Sequence, residues 1–379
     1  MADTDLMARI DRSITVAAGM ATAYVLDAAR EVAVAAGRPL MVIASRRQVD
    51  NMDGAGGYVG WTTPQWCAQG RAADGGGSLL LCRDHGGPYQ HPRDAHRGPR
   101  AAMESALASL RSDIESGLEL LHLDTSLGAA GTAECVQVAQ QRAVELAAAC
   151  AAMARDAGRP VAFEVGIEVQ SEDMAHAEAC RSQIGGLLGE LRKQCGITPA
   201  FVVAQTGTKV TGRYNSGVLQ RRGGSAEDQR RLCDLAAVVR AHGARLKAHN
   251  CDYLSVDALR PMRRAGAWMN VSPELGCAQT IAVVRAAREA RLHRVLDDFC
   301  GAAVAAGYWR KWVSSLRGPV PDQEKVVLGG SYLFATPAFT ELRVRLDHAG
   351  RRDGRSTRRI ATDAAKTVIS RYLPNPLRV

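Results

Sequence analysis

The stretch Leu118-Glu-Leu-Leu-His-Leu-Asp-Thr-Ser126 decides the fold, together with the residues that follow it. It is a short apolar run that ends in polar residues, and a helical pattern extends after it from Gly128 to Ala157. In that pattern apolar residues return every three or four positions, which is typical of a helix with one buried face. A second apolar run follows, from Val161 to Val169. This order predicts two buried parallel strands with a helix between them.

The same unit recurs along the chain and predicts a closed barrel. Eight short apolar runs are each bounded by turn residues and followed by a longer helical pattern: Leu40 to Ala44, Ser78 to Asp84, Leu118 to Ser126, Val161 to Val169, Ala200 to Gly207, Ala244 to Asn250, Ala267 to Ser272 and Lys325 to Leu333. This alternation favours an α/β fold of the (β/α)8 TIM barrel type. A doubly wound open sheet is the alternative. No Gly-x-Gly-x-x-Gly follows the first run, which weakens the dinucleotide-binding version of that alternative.

The barrel is expected to occupy residues 1–334, and a C-terminal helical extension, residues 335–379, is expected to pack on it. Two long insertions interrupt the first barrel loops, from Gln48 to Gln90 and from His91 to Arg100. Long loops on a compact scaffold often carry function.

Composition excludes several classes of protein. Of the 379 residues, 46% are hydrophobic and 23% are charged, which are ordinary values for a folded domain and exclude a disordered chain. The net charge of +9 is spread along the chain, so we expect no nucleic-acid partner. No apolar run approaches the roughly 18 residues of a membrane helix. The ten cysteines have no C-x-x-C spacing and no secretory signal is visible, so we expect a reducing cytoplasm.

Polar residues stand at the C-terminal ends of the predicted strands, where the active sites of barrels lie. Two histidines and a carboxylate from different strands can form the three-ligand site of a catalytic zinc. We predict that His85, Glu168 and His249 bind Zn²⁺ or another divalent metal, and that Asp84 transfers a proton beside the substrate. The alternative is that both histidines are only hydrogen-bonded at a wet rim and that Glu168 pairs with an arginine.

Further candidate residues follow from the same strand ends. Asp124 and Glu168 are additional candidate catalytic residues. Arg46, Arg47 and Arg83, near the first strands, are candidate anion ligands because their planar guanidinium matches carboxylate and phosphate, although an ordinary salt bridge is the alternative. The predicted substrate contacts are Arg46, Gln48, Arg83, Ser126, Gln205, Thr206, Thr208, Asp252, Gly329, Gly330 and Ser331. Of these, Gly329 to Ser331 lie at the end of the predicted eighth strand, where many barrels hold phosphate, but such a run is as often a tight turn.

An ordered series of motifs runs through nearly the whole chain. It comprises Ser45-Arg-Arg-Gln-Val-Asp50, Gly56-Gly-Tyr-Val-Gly-Trp-Thr-Thr-Pro64, Asp84-His-Gly-Gly-Pro88, Leu123-Asp-Thr-Ser126, Gly166-Ile-Glu-Val169, Gln205-Thr-Gly-Thr208, His249-Asn-Cys-Asp-Tyr253 and Ser370-Arg-Tyr-Leu-Pro374. The series resembles the non-catalytic-type (Z) subunit of class II D-tagatose-1,6-bisphosphate aldolase, a family formerly labelled tagatose-6-phosphate kinases. The resemblance implies a TIM barrel related to zinc-dependent class II aldolases. It also implies that Asp84 is the acid/base, that His85 is a metal ligand, and that Glu168 and His249 lie near the other metal positions.

Three departures from the family mark a divergent member. Catalytic relatives usually have a histidine at the position of Gln205, and the family has Gly-Gly where this chain has Cys82 and Arg83. The family's Ser-Asp-Arg-Ile-Arg-Tyr-Tyr-Trp run is replaced by the segment from Ser331 to Ala338, which lacks arginine and aspartate. These changes predict a divergent substrate.

Three functions are compatible with these residues. The first is a metal-dependent lyase that cleaves or forms a C–C bond in a ketose-phosphate-like or modified sugar. The second is a non-catalytic subunit that stabilises a catalytic aldolase partner. The third is a sugar isomerase or epimerase that uses the same metal and enediolate chemistry. The resemblance also implies a homo-oligomer.

Overall fold

The computed structural model describes residues 4–51, 56–73, 77–166, 174, 177–314 and 318–373. The strands are β1 (Val16–Gly19), β2 (Leu40–Ser45), β3 (Leu79–Asp84), β4 (Leu120–Asp124), β5 (Ala162–Gly166), β6 (Phe201–Val203), β7 (Val210–Thr211), β8 (Tyr214–Asn215), β9 (Arg245–Ala248) and β10 (Trp268–Val271). The helices are α1 (Thr4–Arg12), α2 (Tyr24–Ala36), α3 (Thr63–Ala73), α4 (Pro99–Ser116), α5 (Val136–Asp156), α6 (Ala177–Glu190), α7 (Ala226–Ala241), α8 (Val256–Ala265), α9 (Pro273–Glu289), α10 (His293–Ala306), α11 (Arg310–Val313), α12 (Asp322–Gly329), α13 (Pro337–Ala349) and α14 (Thr357–Arg371).

Eight parallel strands close into a barrel, in the order β1-β10-β9-β6-β5-β4-β3-β2. Closure is made by β1, which pairs with β2 on one side and with β10 on the other. The two remaining strands, β7 and β8, form an antiparallel hairpin in the connection between β6 and α7. A helix follows each barrel strand. The predicted (β/α)8 barrel is therefore confirmed.

The strand count was right, but one predicted strand was wrong. The run from Lys325 to Leu333 is not a strand: it forms most of α12 and a short 3₁₀ turn. Its true signals are those of a helix start, with Pro321 before it and the acidic residues Asp322 and Glu324 in its first turn. The missed strand is β1, whose Val-Ala-Ala-Gly sequence is short and poor in residues that favour strands.

Helix α1 closes the barrel at the N-terminal ends of the strands, so a substrate site can open only at the C-terminal ends. The apolar face of α1 places Leu6 and Ile10 against Met41, Leu80 and Leu120 at the N-terminal ends of the strands. These side chains form a separate hydrophobic cluster under the barrel. The pocket described below therefore lies at the C-terminal mouth, where barrel enzymes hold their substrates.

The last helices form a second layer beside the barrel. Phe299, Phe339 and Leu342 anchor a hydrophobic cluster made by α9, α10, α12 and α13. The final helix, α14, then packs back against α2 and α9. We propose that the chain divides at residue 334, between the barrel and the C-terminal helices. In this division α14 completes the outer layer of the barrel. Among the described residues, no helix has both the length and the apolar character required to span a membrane.

Candidate metal centre and active site

Three imidazoles from three different strands meet at the C-terminal mouth of the barrel. His85 follows β3, His122 lies within β4, and His249 follows β9. Their ring centroids are 5.3 Å (His85 to His122), 5.0 Å (His85 to His249) and 5.1 Å (His122 to His249) apart. One ligand atom from each ring and one carboxylate oxygen of Asp84 all lie within 4.8 Å of one another. The structure thus brings together the predicted Asp84, His85 and His249, and adds His122.

The turn after β3 explains the Asp-His-Gly-Gly sequence. His85 adopts a left-handed backbone conformation with φ 47°, which is uncommon for a residue with a side chain. Its backbone N–H donates to Nδ1 of His122 at 3.2 Å. The chain then crosses β4 so closely that a Cβ on Gly87 would lie 1.6 Å from the backbone oxygen of Asp124. Only glycine fits there, and this close crossing sets His85 beside His122.

Asp84 is held in its charged form by the surrounding imidazoles. Its Oδ1 lies 3.5 Å from Nδ1 of His122 and 3.8 Å from Nε2 of His249. Its Oδ2 lies 3.7 Å from Nε2 of His85. Burial opposes the charge, but the three imidazoles outweigh burial and hold the pKa of Asp84 well below its usual range. Asp84 is therefore a carboxylate at neutral pH.

Asp124, a predicted catalytic residue, lies behind His85. Its Oδ2 bonds Nδ1 of His85, and its Oδ1 accepts from the backbone N–H of Ser126 at 3.0 Å and from the Ser126 hydroxyl at 2.6 Å. Burial lowers the pKa of His85, but Asp84 and Asp124 together raise it to about 9. Such a carboxylate fixes the ring orientation of a metal-ligating histidine. The predicted substrate contact Ser126 is buried and serves this carboxylate.

A buried ion pair supports the other side of the cluster. Oε2 of Glu164, on β5, lies 2.5 Å from Nζ of Lys247 on β9, and Oε1 lies 3.2 Å from Nε2 of His249. Burial opposes ionisation of Glu164, but Lys247 and the neighbouring histidines lower its pKa to about 2. Glu164 and Lys247 were not predicted. Glu164 has a signal of its own, because it is the one charged residue of an otherwise apolar strand, and such a residue is costly unless it is paired.

The donor set fits a divalent cation. Nε2 of His122 is buried and, among the described residues, has no hydrogen-bond partner. A buried polar atom of this kind normally has a partner, and a metal ion would supply it. Imidazole nitrogens with a carboxylate oxygen are the ligands that Zn²⁺ and similar ions take.

The cluster contains a histidine that was not among the predicted ligands, and one predicted ligand cannot be compared with it. Glu168 lies outside the described residues, so its predicted roles as ligand and catalytic residue stay predictions. His122 provides a third imidazole that the sequence analysis did not single out. The missed signal is the spacing of His122 and Asp124 within one strand, because residues two apart on a strand face the same side.

A pocket of about 530 Å³ opens beside the cluster. Asp84, His85 and His249 line it, and three predicted substrate contacts do so as well, namely Gln48, Asp252 and Ser331.

The remaining predicted contacts of the strand-end turns support the backbone instead. The Thr208 hydroxyl donates to the backbone oxygen of His249 at 2.7 Å and lies 3.1 Å from the hydroxyl of Thr206. Gln205 is buried next to them. Gly329 and Gly330 lie at the end of α12 and not after a strand, so the barrel phosphate position predicted for them was wrong.

Asp252 has an unusual environment within the pocket wall. Its Oδ1 accepts from the backbone N–H groups of Ser272 and Glu274, at 2.8 Å and 2.9 Å, at the start of α9. Burial and the nearby charge of Glu274 raise the pKa of Asp252 to about 8. Glu274 is in turn bonded by the hydroxyl of Tyr372 at 2.8 Å, so the end of α14 supports this wall.

Two predicted substrate arginines lie inside the protein. Nη1 of Arg46 bonds Asp94 at 2.8 Å and its Nε bonds Asp50 at 3.1 Å. Arg83 holds Asp113 with two bonds, of 2.6 Å and 2.7 Å. Both side chains are 0% exposed, so neither guanidinium is open to a ligand. Their burial and pairing correct the expectation that they bind an anionic substrate.

Replacing Arg83 with methionine is therefore expected to lower the free energy of unfolding by about 3–5 kcal/mol, because Asp113 would remain as an unpaired buried charge. Urea denaturation measures the change. The double variant Arg83→Met/Asp113→Leu, which removes both charges, should recover most of the loss. An Arg83→Met protein of normal stability with weakened substrate binding would restore the predicted substrate role.

Comparisons with known proteins agree with this architecture. A probable tagatose 6 phosphate kinase from Sinorhizobium meliloti 1021 superposes with a TM-score of 0.74 at 23% identity, over 95% of this chain and 99% of that chain. The fructuronate-tagaturonate epimerase UxaE from Cohnella laeviribosi has a TM-score of 0.56 at 12% identity, over 95% and 81% of the two chains. A fructose-bisphosphate aldolase from Campylobacter jejuni has a TM-score of 0.50 at 13% identity, over 97% and 91%. At these identities the structures show a shared fold.

No curated protein matches the sequence. A family model matches residues 7–182, which include Asp84, His85 and His122. The predicted family resemblance is thus confirmed, and the matching family is that of the D-tagatose-1,6-bisphosphate aldolase subunit GatZ/KbaZ-like proteins.

Proposed function

We propose that this protein is a divalent-metal-dependent lyase that cleaves or forms a C–C bond in a ketose-phosphate-like or modified sugar. The observation that carries the proposal is the convergence of three imidazoles and Asp84 within 4.8 Å at the edge of a pocket. The aldolase-like barrel and the family match support the same chemistry.

The ion would be held by His85, His122 and His249. When bound, it supplies a Lewis acid that polarises a substrate carbonyl oxygen and stabilises negative charge on it. Asp124 fixes the ring of His85, and Glu164 fixes that of His249. Rigid support of this kind keeps the nitrogens in place through the reaction.

Asp84 is the proposed proton carrier. It is ionised, it lines the pocket, and it lies beside all three imidazoles. In the cleavage direction it accepts the proton of the hydroxyl whose carbon leaves as the new aldehyde, and in the condensation direction it returns that proton. Nδ2 of Asn270 lies 3.5 Å from Oδ1 of Asp84. Oδ1 of Asn270 has no partner among the described residues, so it can accept a bond from a substrate hydroxyl.

Elemental analysis of the purified protein, followed by incubation with ketose phosphates in D₂O, tests the proposal. We expect about one divalent cation per chain, fragmentation of the sugar, and loss of both after chelation. Deuterium on the carbon next to the carbonyl, without fragmentation, would identify an isomerase or epimerase instead. A metal-free, inactive protein that raises the thermal midpoint of a catalytic aldolase would identify a stabilising subunit, as the family description suggests.

The expectations from the sequence about substrate class, oligomeric state, location and partners are also proposals. We propose a small sugar or sugar-phosphate substrate, a homo-oligomer, a cytoplasmic location, and no nucleic-acid or membrane partner. A catalytic aldolase subunit is the protein partner to test first.

A further inference from the structure

Two cations line the pocket without an acidic partner. Arg47 follows β2 and Lys311 lies on α11, and both side chains face the pocket that His85 and His249 also line. Among the residues that the structure describes, neither forms a salt bridge. Nε of Arg47 donates only to the backbone oxygen of Gln90, at 3.3 Å.

Lys311 is positioned by aromatic rings. Its Nζ lies 4.2 Å from the ring centroid of Trp312 and 5.1 Å from that of Tyr332. Tyr332 packs in turn on Tyr58, with ring centroids 4.5 Å apart, and stacks on Tyr308 at 4.8 Å. These rings form one wall of the pocket. Cation–π contacts hold an ammonium group in place but do not neutralise its charge.

The charge of Lys311 is unfavourable in the free protein. Although part of the side chain is open to solvent, the loss of water around its ammonium group and the nearby charge of Arg47 lower its pKa to about 7. An anion placed between the two cations would offset both effects. A planar guanidinium and an ammonium group are the donors that bind carboxylate and phosphate.

We propose that Arg47 and Lys311, beside the wall formed by Tyr58 and Tyr332, form an anion subsite that binds the terminal phosphate or carboxylate of the substrate. The inference rests on the proposed function, because it takes the anion to belong to the same substrate molecule that reaches the histidines. A pocket of about 530 Å³ has room for a small sugar acid or sugar phosphate. The subsite would take over the role predicted for Arg46, Arg83 and Gly329 to Ser331.

Isothermal titration with three probes of similar size tests the subsite: glycerol 3-phosphate, glycerate and glycerol. We expect an anionic probe to bind the wild-type protein and to lose about tenfold or more in affinity in Arg47→Met and in Lys311→Met. The stronger of the two anions identifies phosphate or carboxylate. Lys325→Met is the matched control, because Lys325 also contacts a tryptophan ring but pairs with Asp322 outside the pocket.

Two results would overturn the inference. One is an anionic probe that binds no better than glycerol, and the other is unchanged affinity in both variants. Metal content and thermal midpoints are measured on the same samples, to show that the variants are folded. Because the titrations need no turnover, an inactive protein that binds the anion would contradict the proposed function and leave the subsite intact.

The pH dependence of glycerate binding distinguishes a contribution from the charge of Lys311 from a purely structural role of this residue. Glycerate stays ionised between pH 6 and 8, so protonation of Lys311, with its pKa of about 7, predicts roughly tenfold weaker binding at pH 8 than at pH 6. The groups that face Lys311 are Arg47, Tyr58 and Tyr332, and burial keeps the two tyrosines neutral by raising their pKa values.

Other pocket groups that titrate are the same in wild type and variant. Burial lowers the pKa of His91, while the pKa values of His85 and Asp252 are raised. All three remain in Lys311→Met, so the difference between the two proteins isolates Lys311. If the affinity for glycerate changes equally with pH in the wild type and in Lys311→Met, Lys311 is not part of the subsite.

Discussion

Replacing His122 with glutamine is expected to remove the bound divalent metal and, with it, turnover. The variant loses one of three imidazoles whose centroids lie 5.0–5.3 Å apart, and glutamine offers no equivalent nitrogen ligand. Because changes to groups that only support metal ligands already cost about 10–100-fold in metal affinity, we expect at least that loss here. Metal content after dialysis against a chelator, and the rate of sugar turnover, measure the effect.

His91→Gln is the matched control, since His91 lines the same pocket but lies outside the cluster. Its metal content should equal that of the wild type. Glu168→Gln tests the ligand predicted from the sequence. If Glu168→Gln loses the metal while His122→Gln keeps it, the ligand set is His85, Glu168 and His249, and the proposal for His122 is wrong.

The sequence allowed part of this site to be predicted for a specific reason. His85 and His249 directly follow apolar runs, so a barrel places them at one mouth whatever the details of packing. His122 stands inside an apolar run, where a polar residue looks like an isolated exception. Its partners come from other strands: Glu164 of β5 is its neighbour in register, and such neighbours are known only once the barrel is closed.

The arginines show the opposite failure. Arg83 directly precedes Asp84 on β3, and it was predicted to bind an anionic substrate because its guanidinium matches carboxylate and phosphate. Successive residues on a strand point to opposite faces. Asp84 therefore points into the mouth of the barrel, while Arg83 points outward to Asp113 on α4 and Thr63 on α3. Whether a strand residue reaches the site depends on the face of the strand on which its side chain lies, and less on how close it is in sequence to a site residue.

The segment around α12 was misassigned for a different reason. An apolar run of four or five residues fits a buried strand and one buried turn of a helix equally well. The buried residues Val326, Val327 and Leu328 satisfy both patterns. Because this run was counted as the eighth strand, the phosphate site was expected at its end and not beside Lys311, which lines the pocket from α11.

Replacing Asp84 with asparagine is expected to reduce turnover by about 10²–10⁴-fold, the range attributed to a positioned acid or base. Asparagine has nearly the same shape and keeps an oxygen that can accept from Asn270, but it cannot take up a proton. We expect the metal content to be retained, because three imidazoles remain. Turnover, metal content and deuterium exchange next to the substrate carbonyl are measured together.

The result separates two roles that the geometry allows for Asp84, because its carboxylate belongs to the same cluster as the ring nitrogens. A variant that keeps the metal and loses turnover identifies the proton carrier. A variant that loses the metal identifies a ligand and leaves the proton carrier to be found among the other pocket residues. Wild-type turnover would exclude both roles. Asp322→Asn, on α12 and outside the pocket, controls for the loss of one negative charge, and its turnover should be unchanged.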